Sequence, residues 1–218
     1  MRSISARAVI ATLGEMMRGS GRVAHDVADI RLVGGTPAID FVNSIHDRAS
    51  ELAQDYLLDG VSYLDWCVRA GVLTAAERRL VAERGADEVV AGDAPMLRAA
   101  MHELFTSVIE ERPAGENAVA VMDRWLHLSW AGLHLDARSL GRLIHDAPPD
   151  ASLPLQRLAL SGLDTLRDVD PRRLKRCATV QGCGWLFVDR TKNGTRRWCS
   201  MATCGARDKM RRYRARVV

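Results

Sequence analysis

Four of the five cysteines lie close together near the C-terminus, in the pattern C-x5-C-x15-C-x4-C. Two close pairs separated by an insert supply two thiolates from each of two local turns, which is the arrangement that a tetrahedral metal site needs. Four soft thiolates that leave no open coordination position favour Zn(II). The sequence therefore predicts a structural zinc site with four ligands, Cys177, Cys183, Cys199 and Cys204.

A disulfide framework is the alternative interpretation of these cysteines. We expect no secretory signal, because the apolar stretch 8–13 is short, has polar surroundings and is not followed by a small-residue cleavage site. Two disulfides would also leave Cys67 unpaired. The spacing and the expected cytoplasmic location favour a metal, which would stabilise a segment too small to bury a sufficient core alone.

The insert between the cysteine pairs has the composition of a β-hairpin. Asn193-Gly194 is typical of a type I′ turn, because both residues tolerate positive φ, and residues 185–188 are good strand formers. We predict a hairpin from Trp185 to Trp198 with a cysteine pair at each end. The sequence after Cys204 has helical composition, so knuckle, hairpin and helix together predict a treble-clef-like zinc module.

The C-terminal sequence has a tryptophan after the second cysteine, the step F-x-D, the run R-R-W-C-S-M, and C-G-x-R followed by a lysine and a basic tail. In these features it resembles the CGNR zinc finger. CGNR fingers stand at the C-terminus of bacterial proteins regarded as transcription regulators, so the resemblance implies zinc binding and regulation. The name-giving asparagine of the family is Ala206 here, so its hydrogen bond, to backbone or to DNA, is absent.

Charge is distributed unevenly along the chain. Residues 171–218 contain 14 Lys and Arg but only two acids, Asp189 and Asp208, so their net charge is +12 and that of residues 1–170 is −8. A compact basic segment after an acidic body is typical of a nucleic-acid binder. The alternative is a solvated basic tail that contacts acidic proteins or the acidic body itself.

We predict that basic side chains of the terminal helix and of the insert contact DNA. At helical spacing 207, 211 and 214 share one face and 209, 212 and 216 another, so one face can contact phosphates while the other reads base edges. Lys175, Arg196 and Arg197 are expected to offset the thiolate charge. The predicted DNA contacts are Arg190, Lys192, Arg196, Arg197, Arg207, Lys209, Arg211, Arg212, Arg214 and Arg216.

Residues 31–170 have the composition and patterning of a helical body. Apolar residues make up 47% of the chain, enough for a core, and aromatic residues only 5%. Thr36 followed by Pro37 predicts a helix start, and capping boxes at 62–65 and 74–77 predict two more. Amphipathic patterns predict helices after Asp93, over 116–129 and over 155–166, with a short strand or hairpin within 131–147.

The resulting prediction is a mainly α fold in three segments. Residues 1–30 form an N-terminal extension, loosely ordered or a short helix, residues 31–170 the body, and residues 171–218 the zinc module. The runs GGTPAIDFVN and DYLLDGVSYLDWCVRAGVLT resemble the ABATE domain, which is the N-terminal partner of CGNR fingers. No apolar run approaches the roughly 20 residues that a membrane span needs.

The body shows no catalytic pattern. Cys67 is a lone cysteine on a predicted helix, the six histidines form no compact ligand spacing, and neither a P-loop nor a Rossmann fingerprint occurs. We therefore predict that the protein is not an enzyme. A pocket for a small polar or aromatic molecule is predicted instead from Asp40, Asn43, Arg48 and Trp66. The favoured alternative is that Asp40 and Asn43 tie their helix to a loop, because buried polar groups need partners.

The sequence thus predicts a cytoplasmic bacterial transcription regulator with zinc and DNA as partners. The body would sense a small-molecule effector or form a homodimer, because one small module gives limited specificity and paired half-sites extend it. The alternative is an adaptor whose zinc module binds RNA or an acidic protein.

Overall fold

The computed structural model describes residues 27–48, 53–141, 143–145, 148–179 and 182–217. The prediction for the N-terminal extension falls mostly on residues 1–26, which lie outside this part of the chain. The described residues contain eight α-helices: α1 Pro37–Val42, α2 Gly60–Arg69, α3 Ala75–Ala82, α4 Ala86–Ala91, α5 Asp93–Ile109, α6 Glu116–Ala131, α7 Leu153–Asp168 and α8 Ala206–Val217. The mainly α prediction is confirmed.

The described residues also contain three antiparallel strand pairs, which lie between these helices. They are β1 Ile45–His46 with β2 Gln54–Asp55, β3 Leu133–Leu135 with β4 Leu143–His145, and β5 Leu174–Arg176 with β6 Leu186–Val188. The second pair confirms the hairpin predicted within 131–147. No helix among the described residues is long and apolar enough to cross a membrane.

Local capping explains where several helices begin. The Thr36 hydroxyl accepts a hydrogen bond from the Ile39 amide, and Pro37 occupies the first position of α1, as predicted. Thr74 and Glu77 form the predicted capping box of α3. The capping box predicted at residues 62–65 is wrong. The N-cap of α2 is Asp59, whose carboxylate accepts the Ser62 amide, because an aspartate three residues earlier competes successfully for the same orphan donor.

The core of the body lies between α1 and the three long helices. Helix α5 packs against α6, α6 packs against α7, and the short α1 is buried against both α5 and α7. Phe41 of α1 contacts Tyr63 and Trp66 of α2 at ring-centroid distances of 6.5 and 5.6 Å. All three aromatic side chains are fully buried, so α1 is the element around which the body is packed.

The C-terminal module shares this core. Leu174, Leu186 and Val188 belong to the same cluster of buried apolar side chains as Phe41. The Val188 amide donates to the Gly34 carbonyl at 2.8 Å, which joins β6 to the segment before α1. The module is therefore docked on the body through its sheet and does not hang from it as a tail.

The predicted hairpin from Trp185 to Trp198 is wrong. Strand β6 pairs with β5, with Lys175 opposite Phe187, so the strand pair encloses the first cysteine pair instead of following it. Gly194 has a positive φ but Asn193 does not, which excludes a type I′ turn. The residues after β6 form an irregular loop because side chains inside it, described below, satisfy its backbone groups.

Candidate metal centre and basic surface

The four predicted cysteine ligands converge in one buried cluster. Their sulfur atoms all lie within 4.8 Å of one another. Cys183 Sγ is 3.5 Å from Cys199 Sγ, which is 3.6 Å from Cys204 Sγ. The loop between β5 and β6 supplies the first two sulfurs. Cys199 precedes, and Cys204 lies within, the single π-helical turn Met201–Gly205 that leads into α8.

The cluster has the dimensions of a tetrahedral metal–thiolate site. Zn–S bonds of 2.3 Å place the sulfurs of a tetrahedron about 3.8 Å apart, close to the distances between Cys183, Cys199 and Cys204. All four residues are buried and free of disulfides. Four protein ligands would fill the tetrahedron, so a bound metal would be structural.

The pKa shifts of the clustered cysteines also indicate that a cation is needed to ionise all four. Hydrogen bonding with Cys183 lowers the pKa of Cys177, whereas hydrogen bonding with Cys177 raises the pKa of Cys199. Four neighbouring thiols therefore cannot all ionise by themselves. A divalent cation supplies the positive charge that stabilises four thiolates together. The Cys199 amide donates a hydrogen bond to Cys177 Sγ at 3.4 Å, which also stabilises negative charge on that sulfur.

A hydrogen bond from the body reaches the metal-binding segment. Arg31 donates from Nη1 to the hydroxyls of Ser200 and Thr203, at 3.0 and 2.7 Å. Ser200 directly precedes the turn that carries Cys204, and Thr203 lies within it. The Trp185 indole, two residues after Cys183, donates to the Ile45 carbonyl at 3.2 Å. Both halves of the cluster are thus oriented by residues of the N-terminal body.

Asp189 organises the loop after β6, a role that was not predicted from the sequence. Its buried carboxylate accepts hydrogen bonds from the Lys175 ammonium at 2.7 Å, the Thr191 hydroxyl at 2.6 Å and the Arg196 amide at 2.9 Å. Burial raises the pKa of Asp189, but these donors outweigh it and hold the pKa well below its usual range. The F-x-D step of the zinc-finger resemblance was the available signal. Lys175 is held by this carboxylate and not by the thiolates, contrary to expectation.

Several of the residues predicted to contact DNA also have structural partners within the protein. The Arg196 guanidinium donates to the carbonyls of Trp198 and Cys199 and lies 4.3 Å from the Phe187 ring centroid. Arg190 donates to the Gly35 carbonyl of the body at 2.7 Å. These two arginines stabilise the module and its docking. The Arg190 side chain is also exposed, so its contact with DNA stays a prediction.

Helix α8 carries the largest group of exposed cations. Asp208, buried on the inner side of the helix, forms ion pairs with Arg211 and Arg212, which lower its pKa. Arg212 also lies 6.0 Å from the centroid of the Trp198 ring. Within the described residues, six predicted contacts are exposed and have neither an ion pair nor a hydrogen bond from the side chain: Lys192, Arg197, Arg207, Lys209, Arg214 and Arg216.

The four residues of the predicted ligand pocket make internal contacts. Asp40 Oδ1 accepts the Gly34 amide at 2.7 Å, and Arg48 donates to the Val42 carbonyl at 2.7 Å. Asn43 donates to the Leu186 carbonyl and accepts its amide, both at 2.8 Å. Trp66 is fully buried in the core. Asp40 thus ties α1 to the preceding loop, as in the alternative, whereas Asn43 ties it to strand β6, and the ligand pocket stays a prediction.

A polar cleft of about 790 Å³ opens where the body meets the module. Asp164 and Asp168 of α7 line it from the body, and Arg190 and Lys192 from the module. Among the described residues no ion pair crosses the cleft between these walls. The sequence does not predict this cleft, because its walls come from segments that are distant in the sequence.

Comparison with protein families agrees with both parts of this architecture. Residues 35–169, more than half of the chain, match the family model of ABATE, described as "Putative stress-induced transcription regulator". Residues 173–217 match that of the CGNR zinc finger and contain all four clustered cysteines. No curated protein matches the chain. The protein therefore belongs to the ABATE family and carries a C-terminal CGNR zinc finger.

Proposed function

We propose that this protein is a bacterial, cytoplasmic transcription regulator that binds DNA through its C-terminal module. The observation that carries the proposal is the surface of that module, where six exposed cations have no carboxylate partner within the described residues. The ABATE and CGNR matches support a regulatory role. DNA is the polyanion on which such a regulator acts, and phosphate contacts from Lys and Arg supply most of the affinity for DNA.

The metal in this proposal is zinc, held by Cys177, Cys183, Cys199 and Cys204. The CGNR finger match and the sulfur geometry support this assignment. Zinc would supply structural stabilisation only, since four thiolates complete its coordination. Cys199 and Cys204 fix the position from which α8 starts, so the metal holds the basic helix in a defined orientation on the module.

Docking of the module leaves its basic side facing solvent. Leu174, Leu186 and Val188 are buried against the body, and Arg190 is bonded to the Gly35 carbonyl. The exposed cations lie on α8 and on the loop after β6. The acidic body thus orients the basic surface and does not neutralise it.

The same contacts supply a route by which the body could regulate DNA binding. Asn43 joins α1 to Leu186 of the module, and Arg31 joins the segment before α1 to the turn that carries Cys204. The polar cleft between the body and the module is lined by residues of both. We place a small polar effector in this cleft, where it would bias the docking of the module. A homodimer would pair two modules on two half-sites.

The test is selection from a random-sequence duplex library by the full-length protein, repeated with the Cys199→Ser/Cys204→Ser variant. We expect the intact protein to bind a defined sequence, and the variant to lose both its metal and this selection. Salt-sensitive binding without sequence preference would favour RNA binding or general electrostatics, and preferential binding of RNA or an acidic protein would favour the adaptor function; either result would contradict the proposal.

A further inference from the structure

The outward face of α8 has an apolar centre. Met210 and Tyr213 are 53% and 64% exposed, so both side chains are available for contact on the surface of the helix. Ala206, at the start of the helix, is also exposed. Spacings of four and three residues place the three side chains on one line along the helix. This line is called the apolar stripe below.

The opposite side of the helix is used for packing. Asp208 is 5% exposed and is paired with Arg211 and Arg212. At 100° per residue, Asp208 lies about 160° from Ala206 around the helix axis. The apolar stripe therefore faces away from the module.

Two rows of cations flank the apolar stripe. With 100° per residue, Arg207 and Arg214 lie roughly 80–100° to one side of Ala206, and Lys209 and Arg216 roughly 60–80° to the other. All four side chains are exposed and have no ion pair within the described residues. The helix thus presents two basic rows with an apolar line between them.

This pattern is complementary to the major groove of DNA. The groove has two rows of phosphates with base edges between them, is about 12 Å wide and admits an α-helix of about 10–12 Å diameter. The C5-methyl of thymine is the apolar group on its floor. On the basis of the proposed function, we infer that α8 lies in the major groove with its two rows on opposite phosphate backbones, and that Met210 and Tyr213 select thymine methyl groups.

Ala206 is a third residue whose identity affects which base the helix would contact. It occupies the position of the asparagine in the CGNR motif, and the structure places it in the apolar stripe and exposed to solvent. Asparagine in such a position can form a paired hydrogen bond with adenine, whereas alanine can contact only a methyl group. The reading face of this chain is therefore apolar from Ala206 to Tyr213.

The first test removes the methyl group from the DNA. In the site selected by the full-length protein, each thymine is replaced in turn by deoxyuridine. We expect one or two replacements to weaken binding by about threefold to fivefold, the effect of losing one buried methyl group. For Met210→Ala or Tyr213→Ala the same replacements should have no effect. Met96→Ala is the matched control, because Met96 is equally exposed, at 52%, on a helix of the body.

The second test changes the protein. Ala206→Asn should shift the selected base at one position from thymine toward adenine without changing the dependence of affinity on salt. Binding of each variant to phosphatidylserine vesicles is measured in parallel, because a basic amphipathic helix can also bind an anionic lipid surface.

The outcomes separate this inference from the proposed function. Sequence selection that survives both Met210→Ala and Tyr213→Ala, with every deoxyuridine site still bound equally, would overturn the inference and leave DNA binding intact. Stripe-dependent vesicle binding without DNA selection would overturn both. Loss of the methyl effect in the stripe variants alone supports the inference.

Discussion

The two sides of the C-terminal module use arginine for opposite purposes. On the side that faces the body, Arg173 and Arg196 donate to main-chain carbonyls of the loop after β6. On α8, Arg207 and Arg214 are exposed and have no side-chain partner within the described residues. A count of positive residues therefore overstates the surface available to DNA, because part of the charge stabilises the fold of the module.

The two sides also differ in what holds them. The docked side shares an apolar core with α1, through Leu174, Leu186 and Val188, whereas α8 has its main contacts with the π-helical turn Met201–Gly205. We therefore expect changes on the docked side to alter the stability of the whole protein. Changes on α8 should alter DNA binding with little effect on stability.

Removal of the metal should have the largest effect. A structural zinc site contributes about 10–16 kcal/mol of apparent binding free energy in isolated fingers. Chelation should therefore lower the melting temperature of the whole chain, because the module shares its core with the body. Circular dichroism, which reports mainly the body helices, and tryptophan fluorescence would follow unfolding. A body that keeps its original melting temperature after chelation would show that docking is energetically unimportant.

Asn43→Ala should be the most destabilising single change at the docked side. It leaves the buried amide and carbonyl of Leu186 without partners, at about 1–3 kcal/mol each. Asn43→Asp should also be destabilising, because its carboxylate still accepts the Leu186 amide but turns a second oxygen toward the Leu186 carbonyl in a buried site. Denaturant titration measures both, with the exposed Asn117→Ala as the matched control. Equal stability of Asn43→Ala and Asn117→Ala would contradict a stabilising role for the hydrogen bonds between Asn43 and Leu186.

Asp40 should make stability depend on pH. Burial raises its pKa to about 6, although hydrogen bonds from the Gly34 and Val33 amides oppose the rise. The folded state therefore binds the proton more tightly than the unfolded state, and the contribution of Asp40 to stability is highest below about pH 4. The free energy of unfolding should fall by at most about 3 kcal/mol as pH rises through 6. This fall should disappear in Asp40→Asn and persist in the exposed Asp123→Asn.

Asp208→Asn should have a smaller effect, and this effect should be on DNA binding by α8, not on the stability of the docked side. Loss of the carboxylate charge weakens its ion pairs with Arg211 and Arg212 and frees both for phosphates. Binding to unselected DNA should become tighter, and the slope of log affinity against log salt should steepen by up to about 1.8. Weaker binding with an unchanged slope would show that the ion pairs serve only to position the helix.

The sequence predicted those features that depend on local chemistry. The start of α1 follows from Thr36 and Pro37, and the capping box of α3 from Thr74 and Glu77. The spacing of the cysteines was sufficient to predict that their sulfurs converge. Each of these features is decided within a few residues or by ligands that a metal brings together.

Features that depend on distant partners were not predictable. Strand β5 is rich in Lys and Arg and forms only because β6 pairs with it. The Asn193-Gly194 pair is typical of a hairpin, but Asp189 captures the loop with its own hydrogen bonds. The apolar stripe on α8 was not predicted, because the helix is rich in arginine. Only the structure shows which arginines pair with Asp208 and which face solvent.

The most direct test of the central claim is the salt dependence of DNA affinity in two matched variants. Arg214 lies on the outward face of α8, and Arg79 is an exposed arginine on α3 of the body. Both changes to alanine remove one positive charge. If α8 is the DNA-binding surface, Arg214→Ala should reduce the slope of log affinity against log salt by about 0.9 and Arg79→Ala should leave it unchanged. Equal slopes for the two variants would contradict the assignment of DNA binding to this helix.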